Sequence, residues 1–211
     1  FSCYTCELKS RYLFNDPLMK KKIKENIDFI YQFIDKPKSV GALIPSSKFL
    51  TKNILSYTDL TKKNLVIVEY GPGSGTFTRE IVKGMKESDT LIVIEQNKIF
   101  AKRLREQLAG AKNVFIHQDC VTNTSKILKR ANIDRVDYII SGIPFSSIPK
   151  KMTEDILENT KKIMSDETLF ITFQYSTLKI NTFKKHMTVL NKKFVLRNIP
   201  SAYTFCMKKC A

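Results

Sequence analysis

The run Leu65-Val66-Ile67-Val68-Glu69-Tyr70-Gly71-Pro72-Gly73-Ser74-Gly75, followed by Leu91-Ile92-Val93-Ile94-Glu95, constrains the fold of this chain more than any other feature. The first apolar run has strand length and breaks into a glycine loop ahead of a helical pattern, and the second stops on a carboxylate. Fully buried strands of a parallel sheet read as continuous apolar runs of this kind. The pair therefore predicts the nucleotide-binding corner of a doubly wound α/β sheet, where ligands bind beyond the carboxyl ends of the strands.

The loop itself narrows the ligand. A dinucleotide site uses G-x-G-x-x-G, with a pyrophosphate resting on free N–H groups at the helix start. Here the pattern is G-x-G-x-G, Pro72 has no N–H to offer, and Glu69 stands where a phosphate would be repelled. No G-x-x-x-x-G-K-[ST] is present, so a P-loop is excluded. S-adenosylmethionine fits better: it carries an ammonium and a sulfonium, no phosphate, and a ribose whose two hydroxyls suit Glu95 as a bidentate acceptor. With Glu69, Gly71, Gly73, Gly75 and Glu95 in place, the chain resembles the class I methyltransferases over roughly residues 39 to 208.

Strand and helix patterns then alternate. Helices are predicted over about 76–86, 98–108, 124–131, 150–164 and 178–187, and strands over 90–95, 113–117, 136–141 and 168–175. Lys193 to Arg197 and Ala202 to Met207 follow, separated by a short Pro200-Ser201 turn. Too little chain lies between them for a parallel crossover, so they are expected to pair antiparallel. The expectation is an α/β class I methyltransferase fold: a mostly parallel seven-stranded sheet, helices on both faces, and a C-terminal antiparallel hairpin. Residues 39–211 would form that domain, and residues 1–38 an N-terminal segment.

That segment holds a helical pattern from Pro17 to Ile34, with Ile23, Ile27, Ile30 and Ile34 on one face and Lys20, Lys21, Lys22 and Lys24 crowding the first turns. Cations oppose the macrodipole at a helix N-terminus, so a surface partner is the more economical reason for the cluster. Over the whole chain, 36 Lys and Arg against 20 Asp and Glu leave +16, a field that draws polyanions: an anionic membrane or nucleic acid. No apolar run reaches about 18 residues and no secretory pattern is seen, which predicts a cytoplasmic protein peripheral on the inner face of the membrane. Phe1 rather than Met opens the chain, so residues can precede it. Nothing in the sequence signals oligomeric state.

Five cysteines, an odd number, suit a reducing compartment. Cys3-x-x-Cys6 and Cys206-x-x-x-Cys210 have near-metal spacing, but the second pair falls at a strand end and neither has knuckle glycines, so free thiols and no metal are expected.

Strand four ends Ser141-Gly142-Ile143-Pro144-Phe145. Methyltransferases that act on amino nitrogens carry N-x-P-Y or D-P-P-Y here, where the Asn or Asp oxygen and backbone carbonyls hold the nitrogen and the ring stacks on a flat base. Gly142 occupies the amide-bearing position. The rRNA adenine dimethyltransferases share the E-x-G-x-G-x-G-x-x-T loop, present as Glu69 to Thr78, but not this glycine. The chain more closely resembles the bacterial soluble phospholipid N-methyltransferases. The likeness rests on the basic amphipathic N-terminal helix, Gly41-Ala42-Leu43-Ile44-Pro45-Ser46-Ser47, the V-x-E-x-G-P-G-[ST]-G-x-F-T loop with Ile67 at its first position, S-G-I-P after strand four, and Phe173-Gln174-Tyr175.

The resemblance implies methylation of the ethanolamine head group of phosphatidylethanolamine, S-adenosylhomocysteine as coproduct, and a membrane surface as partner; adenine N6-methylation of rRNA is the alternative. It also implies that Asp119 accepts from the adenine amino group of the cofactor, with Ser141 beside it, although an acid there can equally cap the next helix. His117 is expected to be structural. For the substrate ammonium, Tyr175 or a water held by the Gly142 and Ile143 carbonyls are the candidate proton acceptors. The lipid phosphate could sit on Ser46 and Ser47 at a helix start or on Lys150 and Lys151. Lys20, Lys21, Lys22 and Lys24 would meet anionic head groups, unless their helix packs on the core as a lid.

Overall fold

The computed structural model describes residues 48–198 and 200–210. The helix expected over 17–34 with its four lysines, the Gly41 to Ser47 segment, and Cys3 and Cys6 lie outside the described residues.

Helix α1 (Lys48–Leu55) precedes β1 (Val66–Tyr70), α2 (Thr76–Gly84), β2 (Thr90–Ile94), α3 (Lys98–Gln107) and β3 (Val114–His117). A 3-10 turn at Val121–Asn123 leads into α4 (Thr124–Arg130) and β4 (Tyr138–Ser141), and a second at Phe145–Ser147 precedes α5 (Lys150–Ile163). β5 (Leu169–Gln174), α6 (Ile180–His186), β6 (Met187–Val195) and β7 (Ala202–Lys209) complete the order. The seven strands form one sheet, β3-β2-β1-β4-β5-β7-β6. β1 to β5 run parallel, while β7 is antiparallel to both β5 and β6, as the short turn requires.

Each face of the sheet carries three of the helices. Leu50 and Ile54 of α1, Phe77 and Ile81 of α2 and Leu104 of α3 pack with Ile67, Leu91, Val93, Ile140 and Ile171. Ile127 and Leu128 of α4, Ile156 and Leu157 of α5 and Phe183 of α6 cover Val68, Ile92, Ile139, Phe170 and Phe205 on the other side. Alternate residues of the central strands thus enter opposite cores, which is why those strands read as unbroken apolar runs. The order reverses between β1 and β4, and that switch point is where a doubly wound sheet opens its binding crevice.

One element departs from its sequence expectation. β6 was expected at 193–197 but spans Met187–Val195, starting as α6 ends. His186 closes the helix with Nδ1 2.9 Å from Glu158 Oε1, and Met187 is already buried. β6 is an edge strand whose Asn191, Lys192 and Lys193 face solvent across a bulge, so its sequence lacks the apolar signature of a strand.

Candidate active site

β1 ends at the switch point, and its chain turns through Gly71, Gly73 and Gly75, with φ of 59°, 55° and 76°. These left-handed values suit glycine and strain other residues. Gly75 then caps α2. Gly71 N–H donates to the Ile94 carbonyl at 3.0 Å, binding the loop to the end of β2. A β-carbon on Gly73 would meet nothing within 4 Å, so this backbone borders open space.

Glu95, one residue beyond β2, is 1% exposed. Its Oε2 accepts from Gly73 N–H at 3.1 Å and its Oε1 from Asn97 N–H at 2.8 Å. The carboxylate therefore shapes the glycine loop, and its place beside Gly73 suits it to accept from a ribose hydroxyl.

Glu69 lies on β1 itself, fully buried. Neither of its oxygens completes a hydrogen bond among the described residues, and the buried Thr78 hydroxyl beside it is unpartnered too. Burial pushes this carboxyl up to about 8; the Glu95 charge adds to the rise, while Thr78, the stronger of the two opposing influences, and Arg79 pull the other way. A buried carboxyl whose neighbouring donors, the Thr78 hydroxyl and N–H, stop short of full hydrogen bonds is costly, and an ammonium group is a partner that would relieve it. The orphaned acid and the open flank at Gly73 fit the amino-acid end of S-adenosylmethionine.

At the end of β3, Asp119 Oδ1 accepts from Cys120 N–H at 2.7 Å and from Asn123 Nδ2 at 2.8 Å. The acid thus fixes its own turn, and Oδ2 is the oxygen available to an adenine amino group. The His117 imidazole is shifted down by burial first, with Arg105 adding to the fall and Asp119 opposing it. That favours the neutral imidazole near pH 7.

The loop after β4 presses against the glycine loop. Gly142 N–H donates to the Tyr70 carbonyl at 2.8 Å, and a β-carbon on Gly142 would stand 2.5 Å from the Gly71 carbonyl oxygen. No side chain fits there. Ser141, expected to face the cofactor, is 1% exposed; its Oγ accepts from Ile143 N–H at 3.3 Å and its carbonyl from Thr172 Oγ1 at 3.0 Å. Its side chain builds the loop rather than reaching outward. Phe145 is fully buried, edge-on to Phe183 at 5.3 Å and to Phe170 at 6.4 Å, so its ring belongs to the core and is not presented to a base.

Gln174, the last residue of β5, is a site residue to which sequence reading assigned no role. Its Nε2 donates to the Ile143 carbonyl at 2.9 Å and its Oε1 accepts from Ser146 N–H at 3.3 Å, clamping the loop from both sides. Its place in Phe173-Gln174-Tyr175 and the oddity of a polar residue ending a buried strand were the signals, but neither says what it bonds. Tyr175 follows at the rim, 40% exposed and edge-on to Phe173 at 5.6 Å. Burial raises its phenol above the ordinary value, with Asn198 opposing, so it stays protonated at neutral pH. Lys150 and Lys151 open α5, where Lys150 lies 3.9 Å from Glu154 and Lys151 2.6 Å from Asp155. Ser46 and Ser47 are outside the described residues. Cys206 is buried on β7, its thiol pushed up by burial, and among the described residues no cluster of His, Cys, Asp and Glu could hold a metal.

The family model for ribosomal RNA adenine dimethylases matches residues 36–201. The chain belongs to this family. Among characterised relatives it is similar to an ornithine lipid N-methyltransferase of Singulisphaera acidiphila, 27% identical over 148 residues, or 70% of this chain and 77% of that protein. Ribosomal RNA small subunit methyltransferase A of Thermotoga maritima is 29% identical over 121 residues, 57% of this chain but only 39% of its own length. The N-methyltransferase NodS of Bradyrhizobium japonicum, solved with S-adenosyl-L-homocysteine, matches the fold with a TM-score of 0.67 at 10% identity, covering 90% of this chain and 99% of that one. The protein is an S-adenosylmethionine-dependent methyltransferase of class I fold.

Proposed function

We propose that this family member methylates the primary amine of an aminolipid head group, with phosphatidylethanolamine and ornithine lipid as the two substrates to try first. The observation that carries the reading is Gly142. In the adenine enzymes this position bears the side-chain oxygen that grips the base amine; here the Gly71 carbonyl, 2.5 Å from where a β-carbon would be, forbids a side chain. The ring that would stack on the base, Phe145, is sealed in the core. An aliphatic amine needs neither, and the likeness to the ornithine lipid enzyme over most of both chains supports the same substrate class.

When bound, S-adenosylmethionine supplies a methyl group already activated on a sulfonium, so the protein's task is to hold and orient. Glu69 would face the ammonium, Glu95 the ribose and Asp119 Oδ2 the adenine amino group. The Gly142 carbonyl can hold a neutral amine by an N–H group, while the Ile143 carbonyl is held in place by the two bonds it accepts, from Phe145 N–H and Gln174 Nε2. With Tyr175 protonated, the substrate's ammonium proton leaves to water at the rim. Incubation with labelled methyl donor and, separately, phosphatidylethanolamine, ornithine lipid and rRNA tests the reading: labelled lipid is expected, and labelled RNA with unlabelled lipid would overturn it.

Adenine methylation of rRNA is the second reading, favoured by the family match and by the +16 charge, which would track phosphates.

A further inference from the structure

The rim of the site carries the most exposed apolar side chains among the described residues. Leu178, in the loop after β5, is 81% exposed, and Leu196, in the β6–β7 turn, is 72% exposed. The two segments share one end of the sheet, because β7 runs antiparallel to β5 with Gln174 opposite Tyr203, and β6 to β7 with Val195 opposite Ala202. Asn198 near the Tyr175 phenol joins them. Arg197 stacks over the half-exposed Phe49 ring at 5.2 Å, and Lys179 Nζ donates to the Ile148 carbonyl at 3.3 Å beside the substrate loop. From Thr168 to the last residue the chain has eight Lys and Arg and no Asp or Glu.

From this juxtaposition we infer that the β6–β7 turn and the loop after β5 form a membrane-docking rim, with Leu178 and Leu196 entering the acyl boundary of an anionic bilayer while Arg197 and Lys179 meet its head groups. This rests on the aminolipid reading and adds to it the surface by which the site reaches its substrate. Exposed aliphatic tips gain from a hydrocarbon boundary and little from phosphates or base edges, which favours a bilayer over RNA. Charge opposes cover by residues 1–47, which carry eight Lys and Arg against five acids and would bring Lys20, Lys21, Lys22 and Lys24 against a basic rim. Position agrees as well: the rim borders the Ser141 to Phe145 loop, so a head group can reach the loop carbonyls while its chains stay in the bilayer.

The test is vesicle co-sedimentation of the full chain with phosphatidylcholine alone and with added phosphatidylglycerol, comparing wild type, a Leu178→Ser/Leu196→Ser variant and Arg197→Gln. Wild type is expected to favour the anionic vesicles, and the double leucine variant to bind them roughly tenfold less well. Arg197→Gln should weaken only the anionic arm, and less so in high salt. The double variant should keep the wild-type melting temperature and its methylation of a short-chain monomeric phosphatidylethanolamine. Unchanged vesicle binding overturns the inference. So does a lowered melting temperature, which would mean that another part of the chain covers these leucines, or loss of rRNA-fragment binding in place of vesicle binding. If wild type docks on vesicles through these leucines yet methylates no amine lipid, the aminolipid reading fails and the docking rim stands.

Discussion

The backbone of Gly142 lies so close to Gly71 that a β-carbon on the first would stand 2.5 Å from the carbonyl oxygen of the second. Both atoms belong to main chain held by hydrogen bonds, Gly142 N–H to Tyr70 and Gly71 N–H to Ile94, so neither can give way cheaply. Restoring the amide of the adenine enzymes by Gly142→Asn should therefore not restore their chemistry. It is expected to cost about 1–3 kcal/mol of stability and to give no RNA methylation. Thermal denaturation checks this; a variant that melts like wild type would show that the loop has room.

Gln174 should matter in the opposite way, through what it holds. Gln174→Leu leaves the Ile143 carbonyl with Phe145 N–H alone and strands Ser146 N–H, at about 1–3 kcal/mol for a polar group left unsatisfied. The expected kinetic result is a fall in kcat with cofactor affinity nearly unchanged, because the clamp acts on the substrate loop and not on the glycine loop. Calorimetric titration of cofactor beside steady-state rates separates the two.

Glu69 gives the protein a distinctive pH dependence. Its carboxyl titrates near 8 in the fold against 4.5 ordinarily, so the folded state holds the proton more tightly. The stability this contributes is complete below about 4.5 and is lost as pH rises through about 8, a few kcal/mol in all. Melting of the cofactor-free protein should fall across that window, and Glu69→Gln should flatten the curve. Binding an ammonium ligand at pH 7 should release close to one proton, measurable by calorimetry in buffers of different ionisation enthalpy.

Much of this was legible in the sequence, for physical reasons. Glycines that must adopt positive φ and an acid ending a buried strand leave a local signature, and the apolar runs of β1, β2 and β4 named a doubly buried sheet. The start of β6 was not legible, because an edge strand with Asn191, Lys192 and Lys193 facing water has no apolar run to find. Contacts across the fold were hidden as well: Gln174 reaches the Ile143 carbonyl 31 residues away, and Phe145 turns inward onto Phe183. Sequence offered Tyr175 as a proton acceptor, but the burial that raises its phenol depends on contacts across the fold.

The cofactor site is expected to separate shape from strength. Gly73→Val puts a side chain into open space but at a φ of 55° that a β-branched residue resists, so it should lose stability through backbone strain and lose cofactor binding by blocking the approach. Glu95→Ala should also lose binding, and with it the support of Gly73 and Asn97. Near-normal calorimetric affinity in both variants would remove this crevice from consideration.

Tyr175→Phe is expected to leave the pH profile of methylation unchanged and to lower the rate only modestly, since the phenol stays protonated and serves as a rim group beside Asn198. Loss of the profile's basic-side rise in the variant would make Tyr175 a proton acceptor after all.

The most direct measurement is a competition. The full chain is given labelled S-adenosylmethionine with phosphatidylethanolamine vesicles, ornithine lipid and rRNA together, and the label is partitioned between organic and aqueous phases. Label in the organic phase, on lipid amine nitrogen, with RNA at background is the expected result. Label retained in the RNA as methylated adenine, with the lipids unmodified, would contradict the aminolipid function.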